Sequence, residues 1–562
     1  MMRRWLSRVH LPIFLLILVA LSAHGQMLGR GFVSDDWDWL HIAATAQFPE
    51  YFVGNYAGEH AVGGSYRPVV TVVMQMLYAL FGLQAIWYHA LSLVLLVVTA
   101  IGIARLVQTI FASVRQQTWI AWMSALLFVL IPTHAEAVYW VAGLPDMIAA
   151  ACMVWSSVWM VRWLRYNSWR SAVVAVVLWI IALGAKENAV VLPGIWFACT
   201  AVIASLEWDR SAYRSRVLPL LRWFGGAIAI LVAFVLLRRY AVGSSTLVYS
   251  VAAAQLSLHS AAISLLHTLV APVVGWHEIR HQIVAWVWEY RVWVVSVVGA
   301  LGLGTIGYGV RRYGRTTGAA LALLAAFMIA AIPNTVVTYH PVFAEGERFA
   351  YFPSVFIAVL LAWGCSWLIT LQQQLGRAAT LMLALSMTIA IPHYHRAWDE
   401  ADRALATVQQ DLTTYAATHS RPQAVLIGLP EFAHTIAPVL RNGLPQWYAM
   451  THDLAPSPYG RLPYYTQWDG RSAMTWVADT NGWKATYATS TSLWGPATYA
   501  DSNHLVELWG YNYALQHGGN FVKFVYRPDD PRTKSYRSEI SPPIIAWSKD
   551  GFIPMPQATS LK

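Results

Sequence analysis

Long apolar runs, separated by short stretches rich in arginine, constrain this chain more than any other feature of its sequence. A hydrocarbon core about 30 Å thick takes roughly 20 apolar residues to cross as a helix. Runs near that length recur through the first 392 residues, at 10–27, 83–110, 119–132, 147–161, 173–184, 189–205, 223–237, 292–309, 319–332, 349–371 and 378–392. The charge content agrees. Only 12% of the residues are Asp, Glu, Lys or Arg while 57% are hydrophobic, against about 25% charged in an ordinary soluble domain. The expectation is a mainly α fold, a polytopic membrane helical bundle of about eleven spans.

The arginines give that bundle a direction. Arg3, Arg4 and Arg8 precede the first run, and further clusters at 162–170, 210–222 and 311–315 fall between later ones. Lys and Arg stay preferentially on the cytoplasmic side, which places the N-terminus inside. The leader has no convincing small-x-small cleavage site before Asp35, Ser22-Ala23-His24 being the nearest, so it reads as a retained first helix. The run 256–274 is apolar enough to cross, but crossing would carry Arg311 and Arg312 outside. It is therefore read as interfacial or re-entrant, within a long outer loop at 242–290, and the run 69–80 as interfacial.

The net charge of +10 resides in these clusters, and no nucleic-acid module accompanies it, so no nucleic-acid partner is expected. Cys152, Cys199 and Cys365 lie in separate apolar runs, with neither a disulfide framework nor a metal-ligand spacing. Many of the 29 tryptophans stand near run ends, as interfacial belts do.

At 393 the composition changes: charge, Asn, Pro and Gly rise and no later run is long enough to cross. Two domains follow, a membrane domain at 1–392 with a large first outer loop, and a small extracytoplasmic α/β domain at 393–562. Within the second, 395–418 reads as an amphipathic helix with Trp398, Ala401, Leu405, Val408 and Leu412 along one face. Segments 424–428 and 521–526 read as strands. About 170 residues suffice for a small core. No repeat of about 20–50 residues is visible.

Ionisable groups beside hydrocarbon are costly, which makes them functional candidates. Here they gather at the outer run ends: Asp35 and Asp36 in VSDDWDWL, then Glu59, His60, Arg67, His134, Glu136, Asp146, Lys186, Glu187, Arg238, Arg239, Glu345, Glu347 and Arg348. Wet run ends collect charge in any membrane protein. Lys186-Glu187 and Arg238-Arg239, however, run against the positive-inside tendency. Acids mixed with cations suit a substrate that pairs a phosphodiester with a hydroxyl. Cations hold the phosphate, and a carboxylate accepts the hydroxyl proton.

These residues sit in recognisable patterns: GEHAVGGSYRPVV (58–70), IPTHAEAVYWVAGLPDM (131–147), AKENAVVLP (185–193) and EGERFAYFPS (345–354), in that order after the acid pair. Together they resemble the membrane part of the C-type (GT-C) glycosyltransferases, above all the O-mannosyltransferases that join such a part to tetratricopeptide repeats, and their repeat-free prokaryotic relatives. HRAWDEA (395–401) and RNGLP (441–445) also resemble segments of the prokaryotic relatives. The likeness covers roughly 32–412 and weakens beyond.

The resemblance implies a membrane transferase with its active site at the extracytoplasmic face of the plasma or inner membrane. Its donor would be a polyprenyl-phosphate-linked sugar, mannose being the expected one, and its acceptor a hydroxyl on a protein or glycan, with inversion at the anomeric carbon. Asp36 is then the general base, favoured over Asp35 beside it. Arg67, Lys186, Arg239 and Arg348 would neutralise the departing lipid phosphate, and His134, Glu136, Asp146, Glu187 and Glu347 would hold sugar or acceptor. Arg239 is preferred to Arg238 because Arg-x-x-x-Gly, ending at Gly243, is the spacing in relatives. No cofactor is expected; a divalent metal on Asp35, Asp36 and His134 is an alternative that lacks a dense ligand spacing. The chain carries no tetratricopeptide repeats, which leaves the type of acceptor open. A transporter or flippase of lipid-linked sugar would also need cations, but usually shows midplane polar groups and paired repeats. A scaffold that binds glycan through its Trp- and Tyr-rich tail is a third reading.

Overall fold

The structure is a computed structural model; it describes residues 2–53, 65–242, 258–336 and 346–418, and beyond these 424–427, 430–434, 436–440, 443–453 and a set of strands up to 554. Glu59, His60, Gly243, Glu345 and Arg441 lie outside the described residues. The chain divides into two compact units, one of residues 1–29 and 42–395 and one of residues 30–41 and 396–562.

The first unit is a helical bundle. Its helices are α1 (Met2–His24), then, after α2 (Asp36–Thr45), whose residues 36–41 belong to the other unit, α3 (Glu50–Val53), α4 (Pro68–Phe81), α5 (Ala85–Ile110), α6 (Gln117–Leu130), α7 (Ala135–Tyr139), α8 (Leu144–Tyr166), α9 (Trp169–Ala185), α10 (Leu192–Glu207) and α11 (Arg210–Val242). There follow α12 (Leu258–Val270), α13 (His277–Glu289), α14 (Arg291–Ala331), α15 (Ser354–Leu371) and α16 (Gln373–Thr418), whose residues from 396 on belong to the other unit. Among the described residues eight helices are long and apolar enough to cross a membrane, or nine when the bent pair 117–139 is one span. The chain is thus a multi-pass membrane protein. The eleven expected spans exceed that number at two places. Trp169–Ala185 is only 17 residues long, and the side chains of the first arm of α14 fall largely outside the described residues.

Packing fixes the direction of each helix. Helices α8 and α9 form an antiparallel hairpin through Asn167, whose φ of 49° provides the left-handed residue that ends α8. Ser156 Oγ donates to Ala175 O across the hairpin at 2.6 Å. Gly194 at the start of α10 faces Ile329, and Gly318 faces Ser205 near its end, so α10 and the second arm of α14 run antiparallel in register. Helix α14 would span about 60 Å if straight. Instead it breaks at Tyr313 (φ −133°, ψ 29°), and Gly309 lies against Thr317 across the fold-back, leaving Arg311, Arg312 and Arg315 at the tip.

One end of the bundle therefore collects arginines. Arg165 at the end of α8 donates to Glu207 at 2.8 and 2.9 Å and to Thr109 O at 2.8 Å, tying together the ends of α8, α10 and α5. The opposite end collects the other charged groups. There His24 at the end of α1 bonds Tyr139 and Val129 O, each at 2.8 Å. Helix α12 rises only about 20 Å and packs against the 3-10 turns Ile332–Val336 and Glu347–Ala350 at this same end. Asn334 links that packing, donating to Thr268 Oγ1 at 3.1 Å and Phe349 O at 3.0 Å.

The sequence separated a span at 378–392 from a helix at 395–418; in the structure α16 is continuous through Pro392. Proline removes one backbone hydrogen bond but leaves the rest of the ladder intact, and long membrane helices tolerate it.

In the second unit, the expected face of the amphipathic segment is buried: Trp398, Ala401, Leu405, Val408 and Leu412 are all but inaccessible. A mixed sheet orders its strands β12-β11-β1-β4, with β1 (Ala424–Ile427) parallel to β11 (Ile544–Ser548) and to β4 (Tyr459–Arg461), and β12 (Gly551–Pro554) antiparallel at the edge. A five-stranded antiparallel sheet, made of β6 (Met474–Asp479), β7 (Gly482–Tyr487), β8 (His504–Leu508), β9 (Tyr511–Gly518) and β10 (Phe521–Tyr526), has the order β6-β7-β10-β9-β8, with β10 at its centre. A small third sheet joins β2 (Pro430–Ala433), β3 (Ala437–Pro438) and β5 (Thr466–Gln467).

Candidate active site

At the charged end of the first unit, acids and cations are sorted into largely buried pairs. Arg67, the residue before α4, donates from Nε and Nη2 to Glu187 Oε2 at 3.3 and 3.2 Å. Glu187 Oε1 also accepts the Tyr66 amide at 3.3 Å. Next door, Lys186 at the end of α9 pairs with Asp146 in the first turn of α8, and its Nζ lies 4.5 Å from the centre of the Phe349 ring. Both partners are about 95% buried. A lone buried charge costs several kcal/mol, so each side chain is held where its partner is.

A second pair centres on the turn at 346–350. Glu136 accepts the amides of Gly346 and Arg348 at 3.2 and 2.8 Å and the Arg348 guanidinium at 2.7 Å. That guanidinium also lies over Trp140 at 4.6 Å and Phe349 at 5.2 Å. Gly346 adopts φ 95° to start the turn, a conformation that only glycine takes without strain. On the other side of the turn Glu347 is bonded by Arg280 of α13 and, at 3.1 Å, by Tyr394 of α16; His277 Nδ1 lies 3.6 Å away.

His134 is fully buried, with Nε2 2.8 Å from Ser354 Oγ. The Ser354 hydroxyl donates its one proton to Tyr351 O at 2.7 Å, so the imidazole must donate from Nε2. His134 thereby braces the start of α15 and packs edge-on to Tyr351, with ring centres 4.6 Å apart. Among the described residues no three His, Cys, Asp or Glu side chains converge as metal ligands would.

The structure also distinguishes the two arginines of α11. Arg238 is 3% exposed, whereas Arg239 is turned outward. Successive helical residues point about 100° apart, so only one of the two can face the bundle. Arg238 adds its charge to that of Arg67 around Glu187, which places it in the cluster in the position expected of Arg239.

Sequence reasoning missed Arg280, His277 and Tyr394. The signal was present: Arg280, inside a Trp- and Ile-rich stretch of the presumed outer loop, is an ionisable group next to apolar sequence, and so met the criterion used for the others. Five cations (Arg67, Lys186, Arg238, Arg280, Arg348) stand with four carboxylates (Glu136, Asp146, Glu187, Glu347) at this end of the bundle.

The acid pair belongs to the second unit. Asp36 begins α2 and is inaccessible to solvent; its Oδ2 accepts the Val33 amide at 3.0 Å, closing the turn ahead of the helix. Asp35 is partly exposed and accepts from Ser34 Oγ at 3.2 Å. Asp38, in the same first turn, was not singled out by sequence. Burial, reinforced by the charge of Asp35, pushes its carboxyl up to about 8.

No protein-family model matches the chain. Two curated proteins do, over part of their length. One is the protein O-mannosyl-transferase Tmtc2 of Drosophila melanogaster, 28% identical over 163 residues, which is 27% of this chain and 17% of that one. The other is human protein O-mannosyl-transferase TMTC1, 29% identical over 121 residues, 21% of this chain and 13% of that one. The matched stretches are thus less than a fifth of either relative. Among solved structures, the Archaeoglobus fulgidus oligosaccharyltransferase in complex with zinc and sulfate aligns at a TM-score of 0.42 and 13% identity, over 80% of this chain and 62% of that one. The same enzyme tethered to an acceptor peptide aligns at 0.41 and 14%, over 76% and 63%. The resemblance read from the motifs and the proteins found by comparison agree: over the matched stretch, this chain is similar to the protein O-mannosyl-transferases.

Proposed function

We propose that this chain is an integral membrane glycosyltransferase of the GT-C class. It moves a sugar, mannose by its relatives, from a polyprenyl-phosphate donor to a hydroxyl of a protein or glycan at the extracytoplasmic face of the plasma or inner membrane. The observation that carries the reading is the assembly of motif residues from five separated segments (Arg67, Glu136 with Asp146, Lys186 with Glu187, Arg238, and Glu347 with Arg348) at one end of the bundle. The other end, and the start of α1, carry the arginines that stay cytoplasmic.

In this reading a carboxylate of the acid turn takes the acceptor's hydroxyl proton, and the oxygen attacks the anomeric carbon. The bond from that carbon to the phosphate oxygen breaks, and polyprenyl phosphate leaves with the electron pair. One displacement inverts the configuration. Negative charge grows on the phosphate, and fixed cations lower the barrier most where charge develops. Arg67, Lys186, Arg238 and Arg348 take that role, Arg67, Lys186 and Arg348 already oriented by the carboxylates of Glu187, Asp146 and Glu136.

Exposure favours Asp35 over Asp36, the reverse of the order expected from sequence: Asp36 is buried with one oxygen committed to the Val33 amide, and Asp35 is partly exposed. We assign the base to Asp35 and the shaping of the turn to Asp36. The Asp, Glu and His pairings fit a reaction in which the protein's own groups handle proton and charge, and no step is assigned to a metal.

The test is transfer from a synthetic polyprenyl-phosphate mannose by the full-length protein in lipid nanodiscs, with a Ser/Thr-rich peptide and a mannoside as alternative acceptors. Release of polyprenyl phosphate coupled to product formation is expected. Donor translocation across a vesicle membrane without any product would replace this reading with transport.

A further inference from the structure

The acid turn is not held by its own sequence neighbours alone. Arg30 donates from Nε to Asp399 Oδ1 at 2.8 Å, and the Gly31 amide donates to Asp402 Oδ1, also at 2.8 Å. The Ser34 amide donates to Val439 O at 3.0 Å. Gly443, at φ 84°, passes so close that a Cβ there would collide with Ser34 O and come within 3.0 Å of Trp37 Cβ. Four separate contacts, drawn from α16 and from the stretch before α17 (Leu444–Thr451), thus converge on residues 30–37. Gly31 is equally close-fitted: a Cβ would stand 2.9 Å from Asp402 Oδ1.

The turn needs such support. Ser34 has φ 47°, a left-handed conformation that a serine keeps only where its surroundings over-determine it. Without the bonds to Asp402 and Val439, the amides of Gly31 and Ser34 lose their partners and the turn its reason to hold that shape.

We infer that Asp402 and Gly443, with Asp399, are positioning residues for the acid pair: the C-terminal unit sets the place and angle of the carboxylates. This rests on the acid turn supplying the base, as proposed above. It also accounts for HRAWDEA and RNGLP, whose Asp399 and Gly443 have no place in the bundle's charged cluster but both meet the acid turn. A misplacement of a reacting group by about 1 Å costs on the order of 100-fold in rate, so the anchors act on turnover rather than on donor binding.

The experiment compares Asp402→Ala, Asp402→Asn and Gly443→Ala in the full-length protein in nanodiscs, with polyprenyl-phosphate mannose as donor. Three quantities are read: kcat, donor KM, and hydrogen–deuterium exchange of peptides covering 30–41. Asp402→Ala and Gly443→Ala should lower kcat by about 10- to 100-fold, leave donor KM within about twofold, and speed exchange across 30–41. Asp402→Asn keeps an acceptor oxygen for the Gly31 amide and should recover most of the lost turnover. Unchanged kcat with faster exchange would show that the anchors hold the turn but do not position the chemistry. Unchanged exchange would overturn the anchoring itself. Asp35→Asn and Asp36→Asn, run in parallel, separate this from the reading beneath it: if both keep normal turnover, the acid turn is not the base, whatever the anchors do.

Discussion

The pairing of Lys186 with Asp146 permits a test that separates the fold from the chemistry. Both are buried among helices, Lys186 at 5% exposure and Asp146 at 4%. Replacing Lys186 with Met keeps the length of the side chain and its contact with Phe349 but strands the Asp146 carboxylate. Breaking a buried pair from one side costs about 3–5 kcal/mol, because the remaining charge stays desolvated. Replacing both, as Lys186→Met with Asp146→Leu, removes the stranded charge and should return stability to within about 1–2 kcal/mol of the wild type. Unfolding of the protein in mixed detergent micelles measures both. Transfer should then part company with stability. If Lys186 neutralises the leaving phosphate, the double variant stays at least about 100-fold slower, the usual cost of removing one group that stabilises developing charge. A double variant that regains turnover together with stability would refute the phosphate role and leave the pair as a brace between α8 and α9. A loss below about 1 kcal/mol in the single variant would refute the desolvation argument itself.

The two acids should separate by kind of defect: Asp35→Asn should lower kcat by about 10²- to 10⁴-fold, the contribution of a positioned base, with exchange across 30–41 unchanged, whereas Asp36→Asn should loosen the turn. The reverse pattern in a nanodisc transfer assay would return the base to Asp36. On α11, Arg238→Met should weaken binding of a polyprenyl-phosphate probe and Arg239→Met should leave it within about twofold, since only Arg238 faces the charged cluster; equal effects would mean that α11 rotates when donor binds. Asp38 ties stability to pH. Its carboxyl ionises near 8 in the folded protein against 3.8 unfolded, so between those values the unfolded chain has lost a proton that the native chain keeps. Stability from this group is therefore present at low pH, falls as pH rises through that window, and levels off above about 8. Asp38→Asn should flatten that fall between pH 5 and 8 in thermal unfolding, and an unchanged slope would place the titration elsewhere.

The sequence was most legible where a single physical rule decides. Hydrocarbon thickness and arginine placement located the apolar helices, and a 3.6-residue period found the buried face of 396–412 down to Trp398 and Leu412. It was least legible where two rules compete. The change to polar composition at 393 reads as a boundary, yet α16 continues through Pro392, because one missing hydrogen bond is cheap within a long ladder. Arg238 and Arg239 are equivalent as charges, and only the helical phase, which depends on how α11 packs, tells them apart. Glu136 and Glu347 were found because acids beside apolar runs are conspicuous. What they bind was not, since their partners lie 47 to 212 residues away in the chain and no local pattern encodes such a pairing.

If the charged cluster receives a phosphate, as proposed, its cations must stay desolvated before the substrate arrives, and an unpaired buried arginine or lysine is too costly to keep. Carboxylates supplied by the protein offset that cost in the resting state and fix the direction of Arg67, Lys186, Arg280 and Arg348. They also leave the cluster with one more cation than carboxylate, counting Arg67, Lys186, Arg238, Arg280 and Arg348 against Glu136, Asp146, Glu187 and Glu347. In the proposed reaction an incoming phosphate would meet oriented donors and a small excess of positive charge, which would favour the charge that develops on a leaving phosphate.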